Sequence, residues 1–152
     1  MEKTELAEKQ SDNVKLQRSL TLTNNVQDVP RLTEFVDGVC EAVAFDSILN
    51  MQLNLAIEEA VVNVMNYAYP QGTKGEVCIQ AKAGTGVLDF VIIDSGTPFD
   101  PTASGDVDTT LSAEERQIGG LGIFLVRQIM DTVSYEYKDG KNILTLSKIL
   151  KA

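Results

Sequence analysis

The sequence predicts an α+β two-layer sandwich, in which a mixed, mostly antiparallel sheet carries its helices on one face. Its hydrophobic patterns run in the order strand, two helices, two strands, long loop, helix and two strands. This order does not alternate regularly, which argues against a doubly wound parallel sheet. Two turn signals, "GTG" at 84–86 and "KDGK" at 138–141, predict hairpins between neighbouring strands.

The first part of the chain predicts an extension, a strand and a helix. Residues 1–13 are polar and weakly patterned, so we expect a mobile extension before a domain over residues 14–152. Apolar residues alternate from Val14 to Leu22, which predicts a strand. A helix follows, with Asp28 as its cap and Pro30 in its first turn.

The middle of the chain predicts a second helix and the first hairpin. Helical spacing runs from Ser47 to Tyr69, where Pro70 stops it. Strands are then predicted over Val77–Ala83 and Val87–Ile93.

The last third begins with a loop and ends with a hairpin. Periodicity is lost from Ser95 to Ile118, and a loop of that length inside a domain is usually functional. Helical spacing returns at 122–133, and strands are predicted over Ser134–Tyr137 and Ile143–Ile149.

Composition excludes several classes of function. A net charge of -9 argues against nucleic acid and against an anionic membrane surface. The absence of histidine removes the usual zinc ligand, the usual triad base and any phosphohistidine acceptor. Neither a signal peptide nor a membrane span is recognisable, so we expect a cytoplasmic protein. Cys40 and Cys78 lack metal-type spacing, which favours buried free thiols over a disulfide.

Polar residues mark one side of the second predicted helix. Glu59 and Asn63 lie four positions apart, and Asn66 continues the line. Their oxygens could hold Mg²⁺ shared with a substrate phosphate, and the carboxylate could accept a proton. The alternative is an ordinary solvated face of an amphipathic helix.

An aspartate ends the predicted strand in "FVIIDSGTPFDP". A buried carboxylate accepts hydrogen bonds only, so Asp94 would suit a ligand with an N–H donor, such as adenine. Gly96 would let the backbone pass close to a flat ring. The alternative is a turn, because Asp-Ser-Gly is common in turns.

Glycines precede the third predicted helix in "IGGLGIFLVRQIMD". Backbone N–H groups at a helix start are a standard phosphate site, although this is neither a Walker loop nor a dinucleotide fingerprint. The alternative is a glycine hinge. In this order, the three features together suggest an ATP site.

The ordered motifs resemble those of the GHKL, or Bergerat-fold, ATPases, and especially the anti-sigma-factor serine/threonine kinases. "EAVVNVMNYAY" is similar to their N box, "DSGTPFDP" to the first glycine box, and "GGLGIFLVRQIMDTVSY" to the second glycine box and its helix. The resemblance covers about Val14 to Lys148. It implies the Bergerat fold, ATP and Mg²⁺ as cofactors, and protein kinase activity.

The resemblance also implies a role for individual residues. Glu59 would be the catalytic base and Asn63 the Mg²⁺ ligand, with Asp94 and Gly96 at the adenine. The remaining ATP-binding residues implied are Asn66, Arg116, Gly119, Gly120, Leu121, Gly122 and Thr145.

The implied function is phosphorylation of a STAS-type anti-anti-sigma protein, with sequestration of a sigma factor or another target. Relatives are commonly dimers. Two alternatives stay open: a nucleotide-gated sequestration module without phosphotransfer, and a detached catalytic domain of a sensor histidine kinase.

The chain departs from the family pattern at several positions. Tyr67 stands where many relatives have histidine, the loop at 100–118 has no reliable counterpart, and the last hairpin reads "DGKN" instead of Gly-Thr. Arg31 falls near a partner-contacting position of relatives, or is an ordinary exposed arginine.

Overall fold

A computed structural model describes residues 16–44, 46–104 and 120–150. They form one five-stranded sheet in the order β1-β2-β3-β5-β4. The strands are β1 Leu16–Thr23, β2 Glu76–Gly84, β3 Val87–Asp94, β4 Thr132–Lys138 and β5 Lys141–Ile149. The predicted α+β class is confirmed. The predicted mixed sheet is wrong for these residues, because all four described strand pairs are antiparallel.

Three α-helices in the described ranges complete the sandwich: α1 Val29–Val43, α2 Ser47–Tyr67 and α3 Gly120–Ile129. Every second residue of the central strands is fully buried, as at Phe90, Ile92 and Leu146, while the residues between them are only partly covered. This alternation places the core between one face of the sheet and the helices.

The start of α1 differs from the prediction in one detail. Pro30 lies in the first turn and Asp28 occupies the cap position, but its side chain does not cap the helix. The Asp28 carboxylate instead accepts hydrogen bonds of 2.9 Å from the N–H and the hydroxyl of Thr23. Asp28 therefore ties α1 to the end of β1.

Two helices end earlier than predicted. α2 stops at Tyr67, because Tyr69 turns into the core and its hydroxyl donates a hydrogen bond to the Glu76 carbonyl at 2.6 Å. α3 stops at Ile129, since the residues predicted as its last turn begin β4, where Thr132 pairs with Ser147.

Both predicted hairpins are confirmed. Gly86 has a φ of 76° between β2 and β3, and Asp139 and Gly140 have φ of 54° and 76° between β4 and β5. Consecutive positive φ angles at Asp-Gly are typical of a type I′ turn, which matches the strand twist.

The predicted loop contains a short 3-10 helix at Pro101–Ser104. Residues 105–118 of that loop and the predicted N-terminal extension lie outside the described residues, as does the predicted strand start at Val14. No helix in the described ranges is long and apolar enough to cross a bilayer.

Candidate functional site

Helix α2 places the predicted polar line beside the core. Asp46 caps it by accepting hydrogen bonds from the N–H groups of Ile48 and Leu49, at 2.9 and 3.2 Å. One side of α2 is buried through Leu53, Ala56, Ile57, Ala60, Val61, Val64 and Met65. Glu59 and Asn63 are half-buried, and Asn66 is exposed. The three side chains therefore share a partly open face, as their spacing predicts.

Asp94 is the last residue of β3, and one of its two carboxylate oxygens has no hydrogen-bond partner among the described residues. Its side chain is 2% exposed and faces the helices. Oδ1 accepts hydrogen bonds from the Gly96 N–H at 2.9 Å and from the Asn142 side-chain amide at 2.8 Å. Oδ2 is buried and has no hydrogen-bond partner among the described residues. A buried acceptor of this kind is costly unless a ligand donates to it.

The electrostatics of Asp94 follow from this environment. Burial raises the pKa of its carboxyl group above the usual range, and the hydrogen bonds from Asn142 and Gly96 partly oppose that rise. A ligand N–H directed at Oδ2 would favour the ionised form. The exocyclic amino group of adenine supplies such a donor, so the site fits adenine.

Gly96 brings the loop after β3 against the end of α2. A Cβ atom at this position would lie 2.3 Å from the Ala68 carbonyl oxygen, so only glycine fits without movement. The next residue, Thr97, donates to the same carbonyl from its N–H at 2.7 Å and from its hydroxyl at 3.0 Å. The contact with Ala68 therefore explains the glycine within the protein itself, whatever its role beside a ring.

Three aromatic residues reinforce this junction. The Tyr69 hydroxyl, which donates to Glu76, also accepts a hydrogen bond from the Ser95 N–H at 3.1 Å. Tyr67 packs against Phe99 with ring centroids 5.7 Å apart. Tyr67 thus joins α2 to the segment that resembles the first glycine box. In the sequence, Tyr67 is marked by the aromatic-small-Tyr triplet that it forms with Ala68 and Tyr69.

The second glycine box begins α3. Gly120, Leu121 and Gly122 form its first turn, and the helix packs against α2. Gly119 and Arg116 lie outside the described residues. The first-turn N–H groups of a helix have no intrahelical acceptor, so this turn is suited to phosphate.

The polar line on α2 is compatible with a shared metal ion. No group of three or more His, Cys, Asp or Glu residues that could hold a metal occurs in the described ranges. Magnesium commonly takes one or two protein oxygens and completes its shell with phosphate and water. The Asn63 amide therefore suits an ion carried by a nucleotide.

Thr145 does not join the site. It pairs with Val91 on β3, three residues before Asp94, so the two side chains lie on opposite faces of the sheet. The residue of β5 that does reach Asp94 is Asn142. It was missed because "DGKN" was interpreted as a turn and as a departure from Gly-Thr, with no role for Asn142. Asn142 lies two residues before Leu144, which faces the core, so the alternation of a strand places Asn142 on the same face.

Arg31 is exposed on the first turn of α1 and forms a 3.9 Å ion pair with Asp28. Both cysteines are free; Cys40 is buried, and Cys78 is half-buried on the opposite face of the sheet from the core.

Comparison with known proteins decides the family. The model of the histidine kinase-like ATPase domain matches residues 22–148. The chain belongs to this family. It is 28% identical over 113 residues to the serine-protein kinase RsbW of Listeria monocytogenes. The aligned residues cover 72% of this chain and 72% of RsbW. It is 30% identical over 99 residues to the serine/threonine-protein kinase BtrW of Bordetella bronchiseptica, covering 65% of this chain and 70% of BtrW.

A solved structure supports the fold of this ATPase domain. The crystal structure of the RsbU and RsbW domains of a Mycobacterium tuberculosis protein aligns with a TM-score of 0.64 at 16% identity. The alignment covers 90% of this chain and 33% of that protein. The predicted Bergerat fold and the predicted anti-sigma-factor kinase branch are confirmed, and the family implies the use of ATP.

Proposed function

We propose that this ATPase domain is a protein serine/threonine kinase that phosphorylates a STAS-type anti-anti-sigma protein and acts as an anti-sigma factor in partner switching. The observation that carries the proposal is the buried, unpaired Oδ2 of Asp94, which lies next to the junction with α2. An adenine amino group would complete its hydrogen bonding.

The phosphates would be held at the start of α3. The N–H groups of Gly120, Leu121 and Gly122 are suited to hold them, and we include Gly119 and Arg116 in the same role. Asn63 would bind the Mg²⁺ ion, with Asn66 beside it at the more exposed end of the polar line. Bound Mg-ATP supplies the phosphoryl group.

Glu59 would act as the general base. It lies one helical turn before Asn63, so a proton acceptor and a metal ligand occupy the same face of α2. Glu59 takes the proton of a serine or threonine hydroxyl as that oxygen bonds to the γ-phosphorus, and the bond to the β–γ bridging oxygen breaks to release ADP.

Partner switching follows from exclusive binding. Phosphorylation adds charge to the STAS protein at its interface and weakens that complex, which frees the kinase to hold a sigma factor or another target. We place this exchange in the cytoplasm and expect a homodimer, as the resemblance to the family implies.

The test compares Glu59→Gln with the matched control Glu58→Gln, which changes the neighbouring, exposed carboxylate. Each variant is incubated with γ-labelled ATP and a STAS-domain protein from the same organism. We expect Glu59→Gln to lose transfer by about 100-fold or more, the usual contribution of a general base, and to keep ATP binding. Glu58→Gln should transfer normally.

The other outcomes separate the alternatives. Transfer by Glu59→Gln at the wild-type rate would refute the assigned base. ATP binding by the wild type without any transfer would favour a sequestration module. Label on a histidine of the acceptor would favour a detached sensor-kinase domain.

A further inference from the structure

Asn142 is a buried polar residue at the start of β5. It is 3% exposed, and Asp94 and Asn142 are the only buried polar or charged residues in the described ranges. The two residues pair directly across β3 and β5, and both face the helices. A pair of polar side chains at the edge of an apolar core is costly unless each has a defined role.

All the hydrogen-bonding capacity of the Asn142 side chain is used within the protein. Nδ2 donates to Asp94 Oδ1 and to the Thr97 carbonyl, both at 2.8 Å. Oδ1 accepts from the Phe99 N–H at 2.9 Å and from the Tyr135 hydroxyl. A primary amide donates two hydrogen bonds and accepts two, so Asn142 retains none for a ligand.

These bonds fix the orientation of the Asp94 carboxylate. Oδ1 is held by two donors, Asn142 and the Gly96 N–H, and the carboxylate cannot turn without losing both. Only Oδ2 then remains for a ligand. An acceptor fixed in this way attracts the amino group of adenine and repels the carbonyl oxygen at the same position of guanine.

We propose that Asn142 is a positioning residue for base selection: it does not touch the nucleotide, but it holds Asp94 so that a purine with an amino group at C6 is preferred over one with a carbonyl oxygen at C6. This inference rests on the adenine site of the proposed function. It adds the residue that determines how strictly that site discriminates between ATP and GTP.

A purely structural role makes a different prediction. If Asn142 only stabilised the loop after β3, its loss would weaken ATP and GTP binding alike. If it positions Asp94, its loss lowers ATP affinity more than GTP affinity, because only adenine uses the fixed acceptor. The ratio of the two dissociation constants therefore separates the two roles.

The experiment measures ATP and GTP binding by calorimetry for the wild type, Asn142→Leu and Asn142→Thr. Leucine has a similar size and no donor, so we expect the preference for ATP to fall by about tenfold, the value of one charge-assisted hydrogen bond. Threonine keeps a hydroxyl donor and should retain more of the preference than leucine. It also keeps the test decisive if the leucine variant does not fold.

Thr145→Val is the matched control, because it lies on the same strand and faces away from Asp94. It should bind both nucleotides as the wild type does. An unchanged preference in folded Asn142 variants, or equal loss of ATP and GTP, would overturn the inference. Neither result bears on the kinase, which is tested by transfer: a wild type that prefers ATP but transfers no phosphate would refute the kinase and leave the role of Asn142 intact.

Discussion

At the scale of single residues, Asp94 combines a cost to the fold with a proposed role in binding. Burial raises the pKa of its carboxyl group, so the folded state holds the proton more tightly than the unfolded state. The free energy of unfolding therefore falls as pH rises from the unfolded pKa, about 3.9, through the folded pKa.

Asp94→Asn should remove that dependence. The amide keeps an oxygen for Gly96 and Asn142 and carries no charge, so we expect the nucleotide-free variant to be more stable than the wild type at neutral pH. The difference in free energy of unfolding between Asp94→Asn and the wild type should shrink as pH falls from the folded pKa of Asp94 to its unfolded pKa. Thermal unfolding at several pH values measures this; a variant less stable than the wild type at neutral pH would contradict it.

The same ionisation should control nucleotide affinity. A protonated Oδ2 is a much weaker acceptor for the adenine amino group than an ionised one, so the ATP affinity of the wild type should fall as pH falls through the raised pKa of Asp94. The phosphates of ATP also titrate with pH. Their contribution is the same for Asp94→Asn, which lacks the carboxyl group and therefore serves as the control. The ratio of the variant's dissociation constant to that of the wild type should approach one at low pH; a constant ratio would rule out Asp94 as the titrating group.

Site residues could be predicted from the sequence where their spacing along one helix marks them. The residue whose hydrogen-bond partner is distant in the chain was missed. Glu59 and Asn63 follow from helical spacing, which the structure preserves. Asn142 acts through a residue 48 positions away, so its role depends on strand register. Register also decides the face of the sheet, which is why Thr145 was assigned to the wrong side.

At the scale of elements, the end of α2 and the loop after β3 behave as one unit. Thr97 and Gly96 both contact the Ala68 carbonyl, and Tyr69 reaches Ser95. The polar line of α2 and the carboxylate of Asp94 are thereby held in a fixed relation. Helical pattern alone placed the end of α2 at Tyr69, because the tertiary contact that turns Tyr69 inward is invisible in a local window.

Gly96→Ala tests this junction. Its Cβ would collide with backbone, so we expect a loss of about 1–3 kcal/mol in the free energy of unfolding, together with weaker ATP binding. Gly38→Ala is the control: its Cβ meets only the end of the Arg18 side chain, at 3.3 Å, and alanine favours the helix. Urea unfolding compares the two. Equal stability of both variants would show that the junction tolerates movement.

At the scale of the whole molecule, charge opposes the proposed ligand. The chain carries a net charge of -9, and a nucleotide triphosphate is also anionic. Binding must therefore depend on local N–H groups and on a cation that neutralises the phosphates.

Removing Mg²⁺ with a chelator should weaken ATP binding more than it weakens adenosine binding, because adenosine has no phosphates to neutralise. Paired titrations with and without Mg²⁺ measure the difference. Equal effects on both ligands would argue against an ion shared between the phosphates and Asn63.

The most direct test of the adenine site is calorimetric titration of Mg-ATP into the folded wild type and into Asp94→Asn. We predict saturable binding at one site per chain in the wild type, and an affinity at least about tenfold lower in the variant, since a hydrogen bond to a charged acceptor is lost. Absence of binding in the folded wild type, or the same affinity in both proteins, would contradict the assignment of Asp94 to adenine.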